Sequence, residues 1–321
     1  MAVDPVPWFV GGGAIHSPEV ARLLAFTAFR GNEGIVGPID LRVRALSVPG
    51  TSVRVGPGAA AILNRAAGGA YQSYAGRITS DEQVAVAATG SGSGRSDLVV
   101  LRVEDPYMLG EPWQDPEDPA VGPYVFPRLI SGVPNTTRTV TQLGLGYSAI
   151  PLARIDLPPS TGTITDGMIV DLRRVANPRR ERVVVTGNPT VVYNLTATAW
   201  VSAPWTNVQP AVDVPAWAVR AIVRTSINGV SMTTGNAWGG LRARVGSVTT
   251  QGTSWDEQIE TTKDRGFWRD SDTIAIPAAM RGTTQTVSLE AYKNSGSTST
   301  VSADTATSLD FDIEWVEAAA S

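Results

Sequence analysis

The chain of 321 residues has no cysteine and a single histidine, His16. The first absence excludes disulfides, thiolate metal sites and a cysteine nucleophile. The second leaves nothing from which to build a multi-histidine metal centre. Lysine is almost missing: Lys263 and Lys293 stand against 24 arginines, a bias typical of GC-rich coding sequences. No apolar run is long enough to cross a membrane as a helix, and the N-terminus lacks a basic flank ahead of an apolar core. Neither membrane insertion nor a signal peptide is therefore expected. Charged residues are few (17%), and the net charge of −4 provides no broad positive field for nucleic acid. The arginines are spread among acids and form no basic, aromatic-interleaved strip.

What is present points to β structure. Apolar residues make up 42%, enough for a sizeable core, and 32 Gly with 22 Pro punctuate the chain too often for long helices. A polar, charged stretch, Asn177-Pro178-Arg179-Arg180-Glu181-Arg182, marks a boundary. Only Trp8 and Trp113 precede it, whereas seven tryptophans follow. The expected organisation is a domain over 1–178, a linker over 179–185 and a second domain over 186–321.

In the first domain one helix is predicted. Ser17 caps it, Pro18 fits its first turn, Gly31 stops it, and Val20, Leu23, Leu24, Thr27 and Ala28 form an apolar stripe. Strands are predicted where Leu41, Val43 and Ala45 alternate with arginines, at Val53-Arg54-Val55, over Val84 to Ala88, and over Ile150 to Leu157. Leu98 to Val103 is an unbroken apolar run suited to a strand buried on both faces. Residues 105–127 carry six prolines and read as an extended arm lying on another surface. Met168, Leu172, Val175 and Ala176 suggest a second, short helix.

The second domain alternates almost throughout. Val191 to Val201, Trp217 to Ile227, Leu241 to Val245 and Leu309 to Trp315 each place apolar residues at every second position. Asp310, Asp312 and Glu314 face away from Leu309, Phe311, Ile313 and Trp315, ready to meet Arg220, Arg224, Arg242 or Arg244 across a sheet. Residues 294–308 read as a polar loop. The fold class expected is mainly β: an N-terminal β-rich domain with one or two short helices, then a C-terminal antiparallel β-sandwich of jelly-roll type.

Candidate chemistry is sparse. Gly11 and Gly13 begin a G-x-G pattern, but His16 stands at the third position and no βαβ unit follows, so dinucleotide binding is not expected. Gly90-Ser91-Gly92-Ser93-Gly94 lies between two strands, with no helix N-terminus to hold a phosphate. No Gly-x-Ser-x-Gly elbow occurs, and nothing near His16 completes a triad. Asp256, Glu257, Glu260 and Asp264 lie between Trp255 and Trp268, a composition open to glycoside hydrolysis, although solvated loop charges are the simpler reading. No catalytic residue, metal ligand or cofactor is assigned. Trp200, Trp217 and Trp315 fall inside alternating segments and read as core. Trp205, Trp238, Trp255 and Trp268 sit beside turn residues; they are the candidate ligand-binding residues, with flat apolar rings for sugar C–H faces or a protein partner, the alternative being that they plug the ends of the sandwich.

Four stretches in order carry a resemblance. They are Glu33-Gly34-Ile35-Val36-Gly37-Pro38-Ile39-Asp40-Leu41; Val48-Pro49-Gly50 with Val53-Arg54-Val55; Gly94-Arg95-Ser96-Asp97-Leu98-Val99-Val100-Leu101-Arg102-Val103; and Ile150-Pro151-Leu152-Ala153-Arg154-Ile155 continuing to Ile164-Thr165 and Met168-Ile169-Val170-Asp171-Leu172-Arg173. Over roughly residues 17–178 the chain resembles minor tail or upper baseplate proteins of long-tailed phages that infect actinobacteria. The resemblance implies a non-enzymatic virion component, synthesised in the host cytoplasm, whose first half attaches to other tail proteins and forms a homotrimer. The second half lies outside the resemblance, and from its pattern alone it is expected to bind a host-surface glycan or another tail protein. A cell-wall polysaccharide hydrolase using Asp256, Glu257 or Glu260, and a free carbohydrate-binding module, are the alternatives.

Overall fold

A computed structural model describes residues 12–13, 15–108, 122–201 and 208–319. Trp205 and most of the proline-rich arm lie outside these residues. The chain divides into two compact units, Met1–Asn177 with Ala319–Ser321, and Pro178–Ala318. The protein is mainly β, as the alternation predicts, and the described residues contain a single α-helix.

In the first unit, α1 (Pro18–Ala28) begins where Ser17 Oγ accepts the Val20 N–H at 3.3 Å. Arg30 and Gly31 then turn left-handed to end it. The expected apolar stripe is not core: no residue of α1 is buried, and Leu23 and Leu24 are each more than two-fifths exposed. Ten strands follow: β1 (Gly34–Ile35), β2 (Val43–Ala45), β3 (Ser52–Val55), β4 (Gly58–Leu63), β5 (Ser73–Ile78), β6 (Glu82–Ala85), β7 (Arg95–Val103), β8 (Val125–Val133), β9 (Ala149–Leu157) and β10 (Ile169–Asp171). They form three antiparallel sheets, ordered β1-β4-β5, β2-β3-β6 and β10-β9-β7-β8.

The unbroken apolar run has a clear cause. β7 is an inner strand of its sheet, with Val99, Leu101 and Val103 entering one core while Leu98 and Val100 enter another. The helix expected over 168–176 is instead a 3₁₀ turn, Asp166–Met168, followed by β10. Its β-branched Ile169 and Val170 pair with the open edge of β9, and pairing there outweighs a weak helical spacing. Residues 125–127, placed in the arm by composition, belong to β8.

The second unit holds β11 (Arg180–Gly187), β12 (Tyr193–Asn194), β13 (Ala211–Asp213), β14 (Arg220–Val245), β15 (Val248–Thr249), β16 (Thr253–Ala275), β17 (Thr284–Lys293), β18 (Val301–Ala303) and β19 (Ser308–Val316). Residues expected as a linker are therefore strand: β11 pairs with β19 from Arg180↔Val316 to Gly187↔Leu309. The predicted strand over 191–201 shrinks to β12 and a single bridge at Val201. The expected loop over 294–308 contains β18 and the fully buried Ser299 and Thr307.

The segments Trp217–Ile227 and Leu241–Val245 merge into one 26-residue strand, β14, which pairs with β16 from Arg220↔Ala275 to Leu241↔Thr253. Register shifts fall at Asn228/Val230 and Thr233/Gly235, and there Gly229 (φ 74°) and Gly235 (φ 123°) take backbone angles that side chains resist. At this waist the hairpin doubles over. Its two halves face each other, so Trp255 and Trp268, from opposite halves of β16, stack with ring centroids 4.1 Å apart and planes 9° from parallel. Thr250 Oγ1 likewise donates to Asp270 Oδ2, although Thr250 and Asp270 lie at opposite ends of the hairpin.

Two layers result. The first runs β11, β19, the early half of β14 and the late half of β16. The second runs β13, β17, the late half of β14 and the early half of β16. A long hairpin folded across two four-stranded layers is the arrangement of a jelly roll. Alternation fills its interior: Leu309, Phe311, Ile313 and Trp315 point inward with Ala221, Val223, Ile227, Leu241, Ala243 and Leu289. Each large apolar side chain buried there contributes about 1.5–3 kcal/mol.

Candidate functional site

The outer face of the second layer carries three aromatic side chains that the interior does not take, Trp200, Trp238 and Tyr292. Val201 pairs with Ala291 on the free side of β17, the two backbones exchanging hydrogen bonds of 3.0 and 3.1 Å. Val201 packs on the core, so its neighbour Trp200 points outward. Its ring crosses the layer above Gly240 and Gly252. A Cβ on Gly240 would collide with the rings of both Trp200 and Tyr292, and one on Gly252 would lie 3.2 Å from Trp200. Tyr292 meets Trp200 edge-on at 4.8 Å, and the Arg242 guanidinium lies 4.4 Å from the Trp200 ring centroid.

Facing Arg242 across β14 and β17 is Glu290. Arg242 Nε donates to Glu290 Oε2 at 2.6 Å and Arg244 Nη1 to Oε1 at 2.8 Å. Burial alone raises the Glu290 pKa, but hydrogen bonds from Arg244 and Arg242 outweigh it and hold the carboxyl below its usual range. Glu290 is thus a fixed anion that orients two guanidinium groups, not a proton donor near neutral pH. Trp238, on the same face of β14, is half-buried. Its backbone N–H donates to Ser297 Oγ at 2.9 Å, and its ring rests against Gly296. The face therefore offers half-buried indole and phenol rings beside oriented N–H donors, a combination suited to stacking on sugar C–H surfaces while bonding hydroxyls.

Of the four tryptophans singled out in the sequence, one belongs to this face. Trp205 lies outside the described residues. Trp255 and Trp268 sit within β16, not in loops, and only 5% and 4% of their surfaces reach solvent. The apparent turn residues around them, Ser254 with Asp256 and Gly266 with Phe267, are strand positions, and the alternation that buries the rings is hidden by charged neighbours. Trp200, expected in the core, lies instead on this face with Tyr292. Trp200 is out of phase with the odd-numbered apolar run from Val191 to Val201, so a strand placing Val201 inward must turn Trp200 out. Trp315 is core, at 1% exposed, and Trp217 is half-buried beside Arg179, whose guanidinium lies 5.2 Å from its ring.

The acids tell a similar story. Asp256 and Glu257 are consecutive in β16 and point to opposite faces, so the strand does not bring them together. Among the described residues no three His, Asp or Glu side chains form a metal-sized group. Asp312 accepts a two-pronged pair from Arg182, with Nε–Oδ1 at 2.7 Å and Nη2–Oδ2 at 3.0 Å, and Arg224 approaches it at 3.5 Å. Glu314 pairs with Arg180 at 2.9 Å, whereas Arg242 and Arg244 serve Glu290. Of the four arginines expected to meet the Asp310–Glu314 row, then, only Arg224 does so among the described residues.

No family model matches this chain, and no curated protein matches it. Among solved structures it is similar to the infectious bursal disease virus Gx strain, with 13% identity over 88% of this chain and 69% of that chain, at a TM-score of 0.27. The VP2 subviral particle of the same virus gives 12% identity over 95% and 84%, at 0.26. The insecticidal delta-endotoxin Cry8Ea1 from Bacillus thuringiensis gives 8% over 89% and 52%, at 0.19. Scores this low carry no argument about fold or function, so both rest on the chain's own geometry.

Proposed function

We propose that the chain is a structural component of a phage tail tip or baseplate, without a catalytic centre, whose jelly roll binds a host-surface glycan through the outer face of its second layer. The observation that carries this reading is the grouping of Trp200, Tyr292 and Trp238 with Arg242, Arg244 and Glu290 on one sheet face. The topology supports it in a general way, since jelly rolls recur in viral capsid and lectin domains, although a fold does not by itself assign a function. The tail assignment, attachment to other tail proteins and a homotrimer are supported by the resemblance of residues 17–178.

Full-length protein incubated with actinobacterial cell-wall polysaccharide tests the binding. Retention on the polysaccharide, reduced at least tenfold by Trp200→Ala and by Trp238→Ala with the fold intact, is the expected result. Undiminished retention by both variants removes the site. Light scattering tests the assembly: a trimeric mass is expected, and a monomer at micromolar concentration contradicts it.

A further inference from the structure

The outer face of the first layer carries a different set of groups. Arg180, Arg182, Arg220, Arg224 and Arg269 project from it against Asp310, Asp312 and Glu314, so this face is positive on a chain whose net charge is −4. Most of the charges are consumed: Arg182 and Arg224 hold Asp312, and Arg180 holds Glu314. Arg269, like Arg220, is not, having no ion-pair or side-chain hydrogen-bond partner among the described residues. Its cross-strand neighbour is Ser226, whose other neighbour is Asp310. Ser226 Oγ and Asn228 Nδ2 both donate to Asp310 Oδ2, at 3.0 and 2.9 Å, which fixes the carboxylate and leaves Oδ1 to accept from a ligand. Beside Arg269 on the same face stands Phe267, 56% exposed. Ser226, Phe267, Arg269 and Asp310 line, with Arg224, Asp270 and Asp312, a hollow of about 390 Å³.

An exposed ring, an uncommitted guanidinium and a held carboxylate around one depression form an unused recognition set. The ring supplies an apolar platform, Arg269 a two-pronged donor for an anionic group, and Asp310 Oδ1 an acceptor for hydroxyls. We propose that this hollow is a second ligand site, which takes a sugar unit bearing a carboxylate or phosphate, stacked on Phe267 with its anionic group on Arg269. The site goes beyond the reading above and uses the opposite layer of the jelly roll, so the two stand or fall separately.

The test uses full-length protein and calorimetric titration with three probes: a galacturonate hexamer, its methyl ester and a poly(glucose 1-phosphate) oligomer. The ester keeps the sugar backbone and removes the charge. At least one anionic probe is expected to bind tenfold or more tighter than the ester, and which one binds assigns carboxylate or phosphate. Phe267→Ala and Arg269→Ala, both at exposed positions, are each expected to weaken that probe at least tenfold, with circular dichroism unchanged and Trp238→Ala without effect. Added salt is expected to weaken it further. The proposal is overturned if neither anionic probe exceeds the ester, or if binding survives both variants. Loss in Trp238→Ala but not in Phe267→Ala likewise overturns it, while leaving the aromatic face of the second layer standing.

Discussion

Replacing Trp255 by alanine separates a ligand-binding tryptophan from a structural one. The side chain is 5% exposed and stacked on Trp268 at 4.1 Å, where the doubled-over hairpin closes on itself. Truncating a buried tryptophan costs about 3–5 kcal/mol, and the lost ring pair adds about 0.5–1.5 kcal/mol. For a domain of this size each kcal/mol lowers the melting temperature by a few degrees, so Trp255→Ala is expected to melt roughly 10–20 °C below the parent. Trp238→Ala, at a half-buried outer position, is expected to stay within a few degrees while losing glycan retention. Both indole N–H groups of the stacked pair are buried without a hydrogen-bond partner among the described residues. Trp255→Phe therefore keeps a ring and sheds an unsatisfied donor, and it is expected to recover more than half of the alanine deficit. Differential scanning calorimetry, run beside polysaccharide retention, reads both properties. A Trp255→Ala protein that melts with the parent yet fails to bind would place the ring at the surface and refute the folded-over hairpin.

Three further outcomes follow from the geometry. Gly240→Ala drives a methyl group into the rings of Trp200 and Tyr292; it is expected to disorder that pair and cut glycan retention at least tenfold, as read by near-ultraviolet dichroism and the polysaccharide assay. In the second unit, hydrogen bonds from Arg182 hold Asp312, and from Arg265 hold Asp304, below the usual carboxylate range. For Glu290 and Glu317 burial pushes upward but is outweighed by Arg242 and Arg244, and by Arg179. Carboxyls with folded-state values below their unfolded ones add stability that is complete above about pH 4–5 and is lost as pH falls through the folded values. Thermal melts between pH 7 and pH 2 are expected to show that loss, with a flatter acid limb for Glu290→Gln, and an acid-independent melting temperature would contradict it. Ser17→Ala removes the acceptor for the Val20 N–H and is expected to cost α1 about 1 kcal/mol, read as faster amide exchange in its first turn.

Strand positions with strict alternation were legible in the chain itself. Leu309 to Trp315 needed no partner to be read, and neither did the doubly buried run from Leu98 to Val103, because a period of two and an unbroken apolar stretch are local properties. The cap at Ser17 was equally local. The stripe on α1 was not, since whether an apolar face is covered depends on what the rest of the chain brings to it. The same limit explains Trp255 and Trp268. Their neighbours Asp256, Glu257, Arg269 and Asp270 mimic a solvated loop, yet β16 is the edge strand of both layers, and charge on such a strand is compatible with pairing along one side.

What the amino-acid order determined by itself was the class of molecule: a cysteine-free, β-rich chain whose faces are set residue by residue through alternation. Which faces meet was decided only by tertiary structure. Two positive-φ glycines let one hairpin fold across two layers, carrying Trp255 onto Trp268 and leaving Trp200, Tyr292 and Phe267 on outer faces. Alternation says that two sides exist; only long-range pairing selects which becomes interior, because burial is a property of contacts between segments far apart in the chain.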